Sequence, residues 1–455
     1  MADDQMTFFH AEQAWIDGWQ GDVALTLFQG RWQASADGGR AERLGGWVLP
    51  GMPNVHSHAF QRAMAGLAER RDRADDSFWT WRETMYAFAA AVGPEALKAI
   101  AAQLYVEMLK AGYTQVCEFH YLHHQPDGTP YAQPEAMSQA LIEAAREAGI
   151  ALTLLPVLYI SGGFDGRPLS LRQRRFGHDV DGYLRLLEPL LRQESDDLRI
   201  GIALHSLRAV PAEAMAHLLD SPLLRDRPIH IHVAEQLGEV HDCLASRGAR
   251  PVEWLLDHAP VDHRWCLVHA THLTAQETTR LAASGAMAGL CPTTEANLGD
   301  GLFPLADYLD AQGAWGIGSD SHISVSPVEE LRWLEYGQRL ASRHRNIAAR
   351  REGVSVGETL WRGALAGGAQ ASGMPVGALR AGCRADLLVL DEQAPLLAAR
   401  ASRAVLDSFL FAGNTPLVRH VMCGGRWVVR DFQHHDEARI AARYRAAVAA
   451  LRTSL

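Results

Sequence analysis

The chain has 455 residues, of which 48% are hydrophobic and 21% are charged, and its formal net charge is −10. This is the composition of an ordinary globular protein, and it excludes a disordered chain. The acidic balance and the lack of any basic run argue against nucleic acid as a partner. The first twenty residues lack a secretory pattern, and no apolar stretch is long enough to cross a bilayer. Six scattered cysteines, none in a CxxC motif, are typical of a reduced, cytoplasmic protein.

The predicted elements begin with short β-like pieces at residues 23–28 and 31–34. Eight short apolar runs follow and alternate with amphipathic segments, at residues 46–50, 114–120, 151–159, 199–204, 228–233, 264–269, 286–291 and 314–319. Strands that alternate with helices pair in parallel through right-handed crossovers. Eight such units predict an α/β protein with a (β/α)8, TIM-like barrel.

After Gly373 the chain returns to β character, at residues 386–391, 418–422 and 425–430, and a final helix is predicted at 436–451. The simplest arrangement is a small β-sandwich domain built from both termini, with the barrel inserted between them. The sequence therefore predicts three parts. Residues 1–48 and 373–455 form the two pieces of the β-domain, the second with a terminal helix, and residues 49–372 form the barrel.

Candidate metal ligands fall at the predicted strand ends, where functional groups collect in such barrels. His56 and His58 follow the first strand, and their spacing of two directs both imidazoles to one side of an extended chain. His232 ends the fifth strand, His269 ends the sixth, and Asp320 follows the eighth. Each feature alone is weak, because a chain with 21 histidines contains an HxH by chance. Their joint order along the barrel predicts one metal site.

This pattern resembles the amidohydrolase superfamily, and within it the mononuclear deaminase branch. The segment 49–66 (LPGMPNVHSHAFQRAMAG) and the segment 379–387 (LRAGCRADL) carry the resemblance further. It implies one bound Zn²⁺, or another divalent ion, with four ligands: His56, His58, His232 and Asp320. It also implies that Glu235 shuttles a proton, that His269 lies beside the attacking water without binding the metal, and that Asp320 doubles as a proton acceptor. The implied reaction is the hydrolytic release of ammonia from a C–N centre.

A binuclear site of the same superfamily would need a carboxylated lysine near the end of the fourth strand. The sequence contains only Lys98 and Lys110, both in the helix predicted before the second strand. The fourth strand is followed instead by His205 and Arg208, so a single metal is expected. Asn54 stands where an aspartate commonly precedes the HxH, and we interpret it as making no contact with the ligand set.

A narrower resemblance, over the segment 49–66, is to members that act on a formimidoyl group carried by a small dicarboxylate. Such a substrate needs cations and hydroxyls, and arginine suits bidentate carboxylate binding. The predicted substrate-binding residues are Gln61, Arg82, Tyr121, His205 and Arg208. The histidines that follow the second strand are interpreted as loop polar residues: His120, His123 and His124. The loop 294–300 also faces the predicted mouth of the barrel, without an assigned role.

Two other functions stay open. A nucleobase or triazine deaminase could use the same scaffold, with a pocket that is mostly aromatic and amide-lined. A catalytically silent relative would be expected to have lost ligands or the acid, whereas all six of these positions are intact here. The scaffold is also compatible with a homodimer.

Overall fold

The structure is a computed structural model of the chain, and it describes residues 6–34, 40–69 and 78–453. Its strands form two separate sheets, one with eight strands and one with nine. Across the described ranges, no helix combines the length and the apolar character needed to span a membrane.

The strands in chain order are β1 (Thr7–Trp15), β2 (Trp19–Phe28), β3 (Arg31–Gln33), β4 (Glu42–Pro50), β5 (Met52–Ser57), β6 (Tyr113–His120), β7 (Ala151–Leu158), β8 (Leu198–Ile200), β9 (Ile202–Ser206), β10 (Ile229–Val233), β11 (Trp265–His269), β12 (Met287–Leu290), β13 (Ala314–Ile317), β14 (Leu387–Leu390), β15 (Val418–Cys423), β16 (Arg426–Arg430) and β17 (Gln433–His434). The α-helices are α1 (Phe78–Ala91), α2 (Pro94–Ala111), α3 (Ala136–Ala148), α4 (Val180–Leu191), α5 (Ala212–Leu219), α6 (Leu237–Arg247), α7 (Pro251–His258), α8 (Ala275–Ala283), α9 (Pro292–Leu298), α10 (Leu305–Asp310), α11 (Pro327–Ser342), α12 (Val356–Ser372), α13 (Val405–Phe411) and α14 (Glu437–Arg452).

Eight parallel strands form a barrel in the order β5, β6, β7, β9, β10, β11, β12 and β13, which is also their order in the chain. The short strand β8 pairs with β7 beside this path. The barrel closes between β5 and the residues after β13. There the N–H of His58 donates to the carbonyl of Asp320 at 3.2 Å, and the N–H of Asp320 donates to the carbonyl of His56 at 3.0 Å. The predicted TIM-like barrel is confirmed, and candidate ligands form its closing seam.

The prediction of the first barrel strand is wrong. Residues 46–50 belong to β4, which pairs with β1 and β14 of the other sheet. The barrel begins with β5, which a single residue, Gly51, separates from the end of β4. The strand β5 is buried along its whole length, although half of its side chains are polar. Apolar patterning misses a strand of this kind. Gly51 joins the two strands, and a Cβ there would lie 2.2 Å from Oγ1 of Thr114, so a side chain would block this abrupt passage between sheets.

The second sheet has the strand order β17, β16, β15, β14, β4, β1, β2 and β3, and it takes strands from both ends of the chain. Apolar residues from both terminal segments, including Phe9, Trp32, Val48, Leu387 and Met422, form its core. The small β-domain built from both termini is therefore confirmed. Its strands are linked in one continuous hydrogen-bonded order.

Helix caps hold the loops that follow the barrel strands. At the start of α8, the hydroxyl of Thr274 accepts the N–H of Glu277 at 3.2 Å, and the Glu277 carboxylate accepts the N–H of Thr274 at 2.8 Å. Glu277 also forms an ion pair with Arg250 at 2.8 Å. This reciprocal capping satisfies N–H groups that a helix start leaves unpaired. It gives the loop between β11 and α8 a defined end.

Candidate metal and active site

Three imidazoles and one carboxylate meet at the carboxyl end of the barrel. The Nε2 atom of His56 lies 3.1 Å from Nε2 of His58 and 3.0 Å from Nε2 of His232. The Oδ1 atom of Asp320 lies 3.5 Å from Nε2 of His56 and 3.4 Å from that of His58. All four side chains are buried. The structure thus brings the four predicted ligands together around one point.

The hydrogen bonds of two of these rings test whether the site fits a cation. Nδ1 of His58 contacts the carbonyl of Phe119 at 2.8 Å, and Nδ1 of His232 contacts the carbonyl of His205 at 3.0 Å. A carbonyl only accepts, so each Nδ1 is the protonated nitrogen and each Nε2 presents a lone pair. Burial lowers the pKa of His58 to about 3, which keeps the ring neutral.

Converging lone pairs beside a carboxylate repel one another unless a cation lies between them. A tetrahedral ion bound at ordinary zinc–nitrogen distances would separate its nitrogen ligands by about 3.3 Å, close to the separations found here. The donor set of imidazoles and a carboxylate suits a transition-metal ion. The cluster of His56, His58 and His232 therefore fits a metal site.

His269 faces this cluster from the end of β11. Its Nε2 atom lies 3.8 Å from Oε1 of Glu235 and 3.8 Å from Oδ2 of Asp320. Burial alone lowers the pKa of this imidazole, but the carboxylates of Glu235, Glu295 and Asp320 outweigh burial and raise it to about 10. The three predicted catalytic groups therefore lie together, with two acids flanking one imidazole.

Strained backbone marks the same strand ends. Positive φ angles occur at five non-glycine residues that are either functional candidates or their close neighbours: Ala234 (53°), His269 (67°), Ala270 (49°), Asp320 (42°) and His322 (62°). Each such residue costs on the order of 1 kcal/mol or more. None of the five is a glycine or an asparagine, but three are aspartate or histidine, which adopt positive φ angles more often than most residues.

Asn54 contacts the ligand set, and its interpretation from the sequence is wrong. Its Oδ1 atom accepts the N–H of His56 at 3.2 Å and the N–H of Ser319 at 3.2 Å. Its Nδ2 atom donates to the hydroxyl of Ser319 at 2.7 Å. An amide supplies both an acceptor and a donor, and a carboxylate cannot donate. Asn54 thus joins the first ligand strand to the segment that carries Asp320.

Glu118, near the carboxyl end of β6, holds the segment around His58 in place, and sequence reasoning missed it. Its carboxylate accepts the hydroxyl of Ser57 at 2.5 Å and the N–H of Ala59 at 2.6 Å. Burial raises its pKa to about 7. These contacts hold the residues on both sides of His58. A buried acid inside an apolar strand is the only signal that could have found it.

The loop 294–300, to which the sequence assigned no role, contacts the segments that carry His269 and Asp320. Its first residues lie in α9, where the Glu295 carboxylate is 3.3 Å from Nδ1 of His269. The hydroxyls of Thr294 and Ser321 are 3.0 Å apart, directly beside Asp320. The loop therefore contacts the segments that carry two of the predicted catalytic residues.

A pocket opens above the metal cluster. All five predicted substrate-binding residues line it, together with His58, His232, Glu235, His269 and Asp320. Sequence reasoning missed several further lining residues, most of them aromatic or apolar: Trp81, Met85, Tyr86, Tyr159, Phe176, Ser206, Glu239 and Leu298. They come from segments far apart in the chain, so no local sequence motif predicts that they line one pocket.

Arg208 is the least satisfied polar group of this pocket. Its Nε atom is buried and has no hydrogen-bond partner, and within the described ranges its guanidinium forms no ion pair. Burial lowers the pKa of this guanidinium, but Tyr159, Glu239 and Glu235 reverse the effect and raise it. The side chain is therefore a fixed cation. The guanidinium has no hydrogen-bonded carboxylate of its own in the described ranges, so a carboxylate of a ligand is a suitable direct partner.

The other predicted substrate-binding groups surround the pocket with defined partners. Nε2 of Gln61 donates to the hydroxyl of Tyr121 at 3.0 Å, and Nε of Arg82 donates to the hydroxyl of Tyr86 at 2.9 Å. Burial, and then the positive charge of Arg208, lower the pKa of His205 well below its usual range. The pocket thus offers two guanidinium groups, one neutral imidazole and several hydroxyls.

Of the histidines interpreted as loop polar residues, His120 is the last residue of β6, His123 and His124 lie in the loop that follows, and all three are buried. Nε2 of His123 donates to the carbonyl of Val157 at 2.9 Å, and Nε2 of His124 donates to that of Gly177 at 2.8 Å. They are interior residues that tie the loop to β7 and to the loop after it. They do not line the pocket described above.

Both lysines lie on α2, away from the metal cluster. Lys98 pairs with Glu143 at 2.6 Å, and Lys110 pairs with Glu437 at 2.5 Å, which joins α14 to the barrel. No lysine lies at the end of β9, where a carboxylated lysine would have to bridge two ions. The residues present do not fit a binuclear centre of that type.

Residues 47–428 match the amidohydrolase family, and the chain belongs to that family. A formimidoylglutamate deiminase of Pseudomonas aeruginosa is 54% identical over 444 residues, which are 96% of this chain and 97% of the relative. An 8-oxoguanine deaminase of the same organism is 30% identical over 423 residues, 89% of this chain and 87% of the relative. The crystal structure of an amidohydrolase from Brucella melitensis superposes with a TM-score of 0.93 at 46% identity, covering 98% of this chain and 99% of that one.

Proposed function

We propose that this chain hydrolyses N-formimino-L-glutamate to N-formyl-L-glutamate and ammonia, a step of histidine degradation. It is a hydrolase that acts on a non-peptide C–N bond. The 54% identity to a formimidoylglutamate deiminase over nearly the whole chain supports this reaction. The observation that carries it is the unpaired guanidinium of Arg208 in the same pocket as the metal cluster, because an anionic substrate would satisfy that charge.

In this proposal one Zn²⁺ is held by His56, His58, His232 and Asp320. The lone pairs on Nε2 of the rings and the nearby carboxylate support this assignment. When bound, such an ion lowers the pKa of a water ligand toward neutrality and polarises the group under attack.

The protein groups supply the proton transfers. Glu235 accepts a proton from the attacking water and returns it to the nitrogen that leaves. Water adds to the formimidoyl carbon, the C–N bond to the terminal nitrogen breaks, and ammonia departs. His269 stabilises the negative charge that develops during the addition. Asp320, with Oδ2 facing His269 at 3.8 Å, serves as a second proton acceptor.

We assign substrate recognition to the cationic side of the pocket. Arg208 binds one carboxylate of the substrate, and Arg82 approaches the other. Gln61, Tyr121 and His205 complete the polar lining. The charge pattern supports this assignment, since the two guanidinium groups and the acids Glu235 and Asp320 line the same pocket. A zwitterion-like ligand with two carboxylates and an amidine matches that pattern.

A cytoplasmic location and a homodimer complete the proposal. All six cysteines lie among the described residues and are free and buried, which supports a reducing compartment. The division into residues 1–48, 49–372 and 373–455 stays a prediction.

A nucleobase deaminase is the second candidate. The aromatic residues of the pocket, Trp81, Tyr86, Tyr121, Tyr159 and Phe176, favour it, as does the 30% identity to an 8-oxoguanine deaminase. Such a pocket would stack a planar base. It would leave the Arg208 charge without a partner, however, which is why we rank it second.

The deciding experiment measures ammonia release by the zinc-loaded protein from N-formimino-L-glutamate, guanine, 8-oxoguanine, cytosine and adenosine. We expect turnover of the formimino compound alone. Preferred turnover of any base would overturn the proposed substrate. No turnover of any of these compounds by protein that retains zinc would favour the catalytically silent reading.

A further inference from the structure

Glu295 is a buried acid that belongs neither to the ligand set nor to the pocket wall. It lies in the first turn of α9 and is 4% exposed. Its Oε1 atom lies 3.3 Å from Nδ1 of His269 and accepts the N–H of Cys291 at 2.9 Å. Burial of an ionised carboxylate lowers the free energy of unfolding unless the carboxylate is paired. The contact with His269 supplies such a pairing.

The contact determines which nitrogen of the His269 imidazole carries a proton and how the ring is oriented. A carboxylate only accepts, so the proton of the pair lies on Nδ1. The ring is then fixed with Nε2 directed at Glu235 and Asp320, each 3.8 Å away. Nδ1 has no other hydrogen-bond partner within the described ranges. Without Glu295, rotation of the ring would not be opposed by any polar contact on its Nδ1 side.

The helix start that carries Glu295 is held in place from two sides. Glu330 on α11 accepts the N–H of Thr293 at 2.9 Å and its hydroxyl at 2.5 Å. Thr294 contacts Ser321 at 3.0 Å. The start of α9 is therefore tied both to α11 and to the loop that carries Asp320. A fixed acceptor at this position can orient a ring to which it is hydrogen-bonded.

We propose that Glu295 is a positioning residue, whose carboxylate accepts the Nδ1–H of His269 and thereby aims Nε2 of that ring at the space between Glu235 and Asp320. This inference rests on the proposed function, because it concerns the same reaction. Glu295 acts through His269 and contacts neither substrate nor metal. Its removal misplaces one group that stabilises charge, while the metal ligands and the cationic side of the pocket stay intact.

The test compares Glu295→Gln, Glu295→Asp and the matched control Glu277→Gln. Glu277 is also a buried acid, 3% exposed, that accepts backbone N–H groups at a helix start, but it faces α7 and α8. We expect kcat for Glu295→Gln to fall roughly 10- to 100-fold, as for other groups that orient an active-site imidazole, with KM and zinc content unchanged. Glu295→Asp should recover part of kcat, because it keeps the charged acceptor. Glu277→Gln should leave kcat unchanged.

A second readout does not depend on turnover. Ring-¹⁵N NMR of the zinc-loaded protein, with the His269 signals identified by their absence in His269→Asn, should show a protonated Nδ1 in the wild type and a changed Nδ1 environment in Glu295→Gln. Unchanged kcat, unchanged ring signals, or an equal loss of kcat in Glu277→Gln would overturn the inference. If the wild type lacked deiminase activity, the proposed function would fail, and the ring signals would still decide the role of Glu295.

Discussion

The mouth of the barrel and the small β-domain are built on opposite principles. At the mouth, polar groups are buried: the imidazoles of His56, His58 and His232, the carboxylate of Asp320, and the Nε atom of Arg208, which has no hydrogen-bond partner. Several of these segments have positive φ angles. The core of the small β-domain is apolar, and Phe9, Val48, Leu387 and Met422 of its paired strands belong to it.

Because of this difference, we expect the small β-domain to contribute mainly to the free energy of unfolding and the mouth mainly to binding and catalysis. Buried polar groups and strained backbone lower the free energy of unfolding unless a ligand compensates them, so the mouth is arranged for binding. Apolar burial in the small β-domain raises the free energy of unfolding and contributes no reactive group. Substitutions in the two regions should therefore change different measured quantities.

The largest effect is expected at the mouth, for Glu235→Gln. The amide cannot accept the proton of the attacking water, so kcat should fall by roughly 10²- to 10⁴-fold. Glu235 is not a proposed ligand, so zinc content should stay at the wild-type level, as measured by atomic absorption. His232→Asn is the contrasting variant and should lose zinc. Undiminished turnover by zinc-loaded Glu235→Gln would refute the proton shuttle.

Leu387→Ala tests the other region. Leu387 is fully buried in β14, between Pro50 of β4 and Met422 of β15. Truncation of a leucine at such a site lowers the free energy of unfolding by about 2–5 kcal/mol. Thermal unfolding should show a lower midpoint, while kcat measured on folded protein at low temperature stays unchanged. A fall in kcat without a loss of stability would show that the two regions are not separable.

Arg208→Met examines the binding side of the mouth. Loss of a charge-assisted hydrogen bond to a carboxylate costs about 1.5–3 kcal/mol, so kcat/KM for the formimino substrate should fall by roughly 10- to 100-fold, mainly through KM. Stability should stay equal or fall slightly, because Tyr159, Glu239 and Glu235 raise the pKa of this guanidinium and so favour its charged form in the folded protein. An unchanged KM would show that Arg208 does not bind the substrate.

The smallest effect concerns pH and the buried histidines beside β6 and β7. Burial lowers the pKa of His178 to about 4 and that of His123 well below its usual range. The unfolded chain binds protons at these residues below about pH 6.5, so the free energy of unfolding should fall as the pH decreases from about 6.5 to about 4. Thermal midpoints at about pH 7.5 and about pH 5 measure the slope, which His178→Asn should make shallower. An unchanged slope in that variant would show that His178 does not contribute to the pH dependence of the free energy of unfolding.

Most of the barrel could be predicted because its strands and helices have distinct apolar periods. The exception is β5, half of whose side chains are polar, including the candidate ligand His56. The residues His56, His58, His232 and Asp320 could be named because each lies at or just after the end of a strand, and strand ends of a parallel barrel meet at one face. Asn54, Glu118 and Glu295 could not, because a lone polar residue in an apolar or loop segment has no periodic signal.

The order of strand ends along the chain was sufficient to predict the barrel and to name candidate metal ligands, since these depend on local pattern and spacing. Only the tertiary structure decided which nitrogen of His58 and of His232 carries the proton, and which acid contacts Nδ1 of His269. Those properties depend on distances between groups that are far apart in the chain. No local propensity encodes such distances, because they arise only when the barrel closes between Ser57 and Asp320.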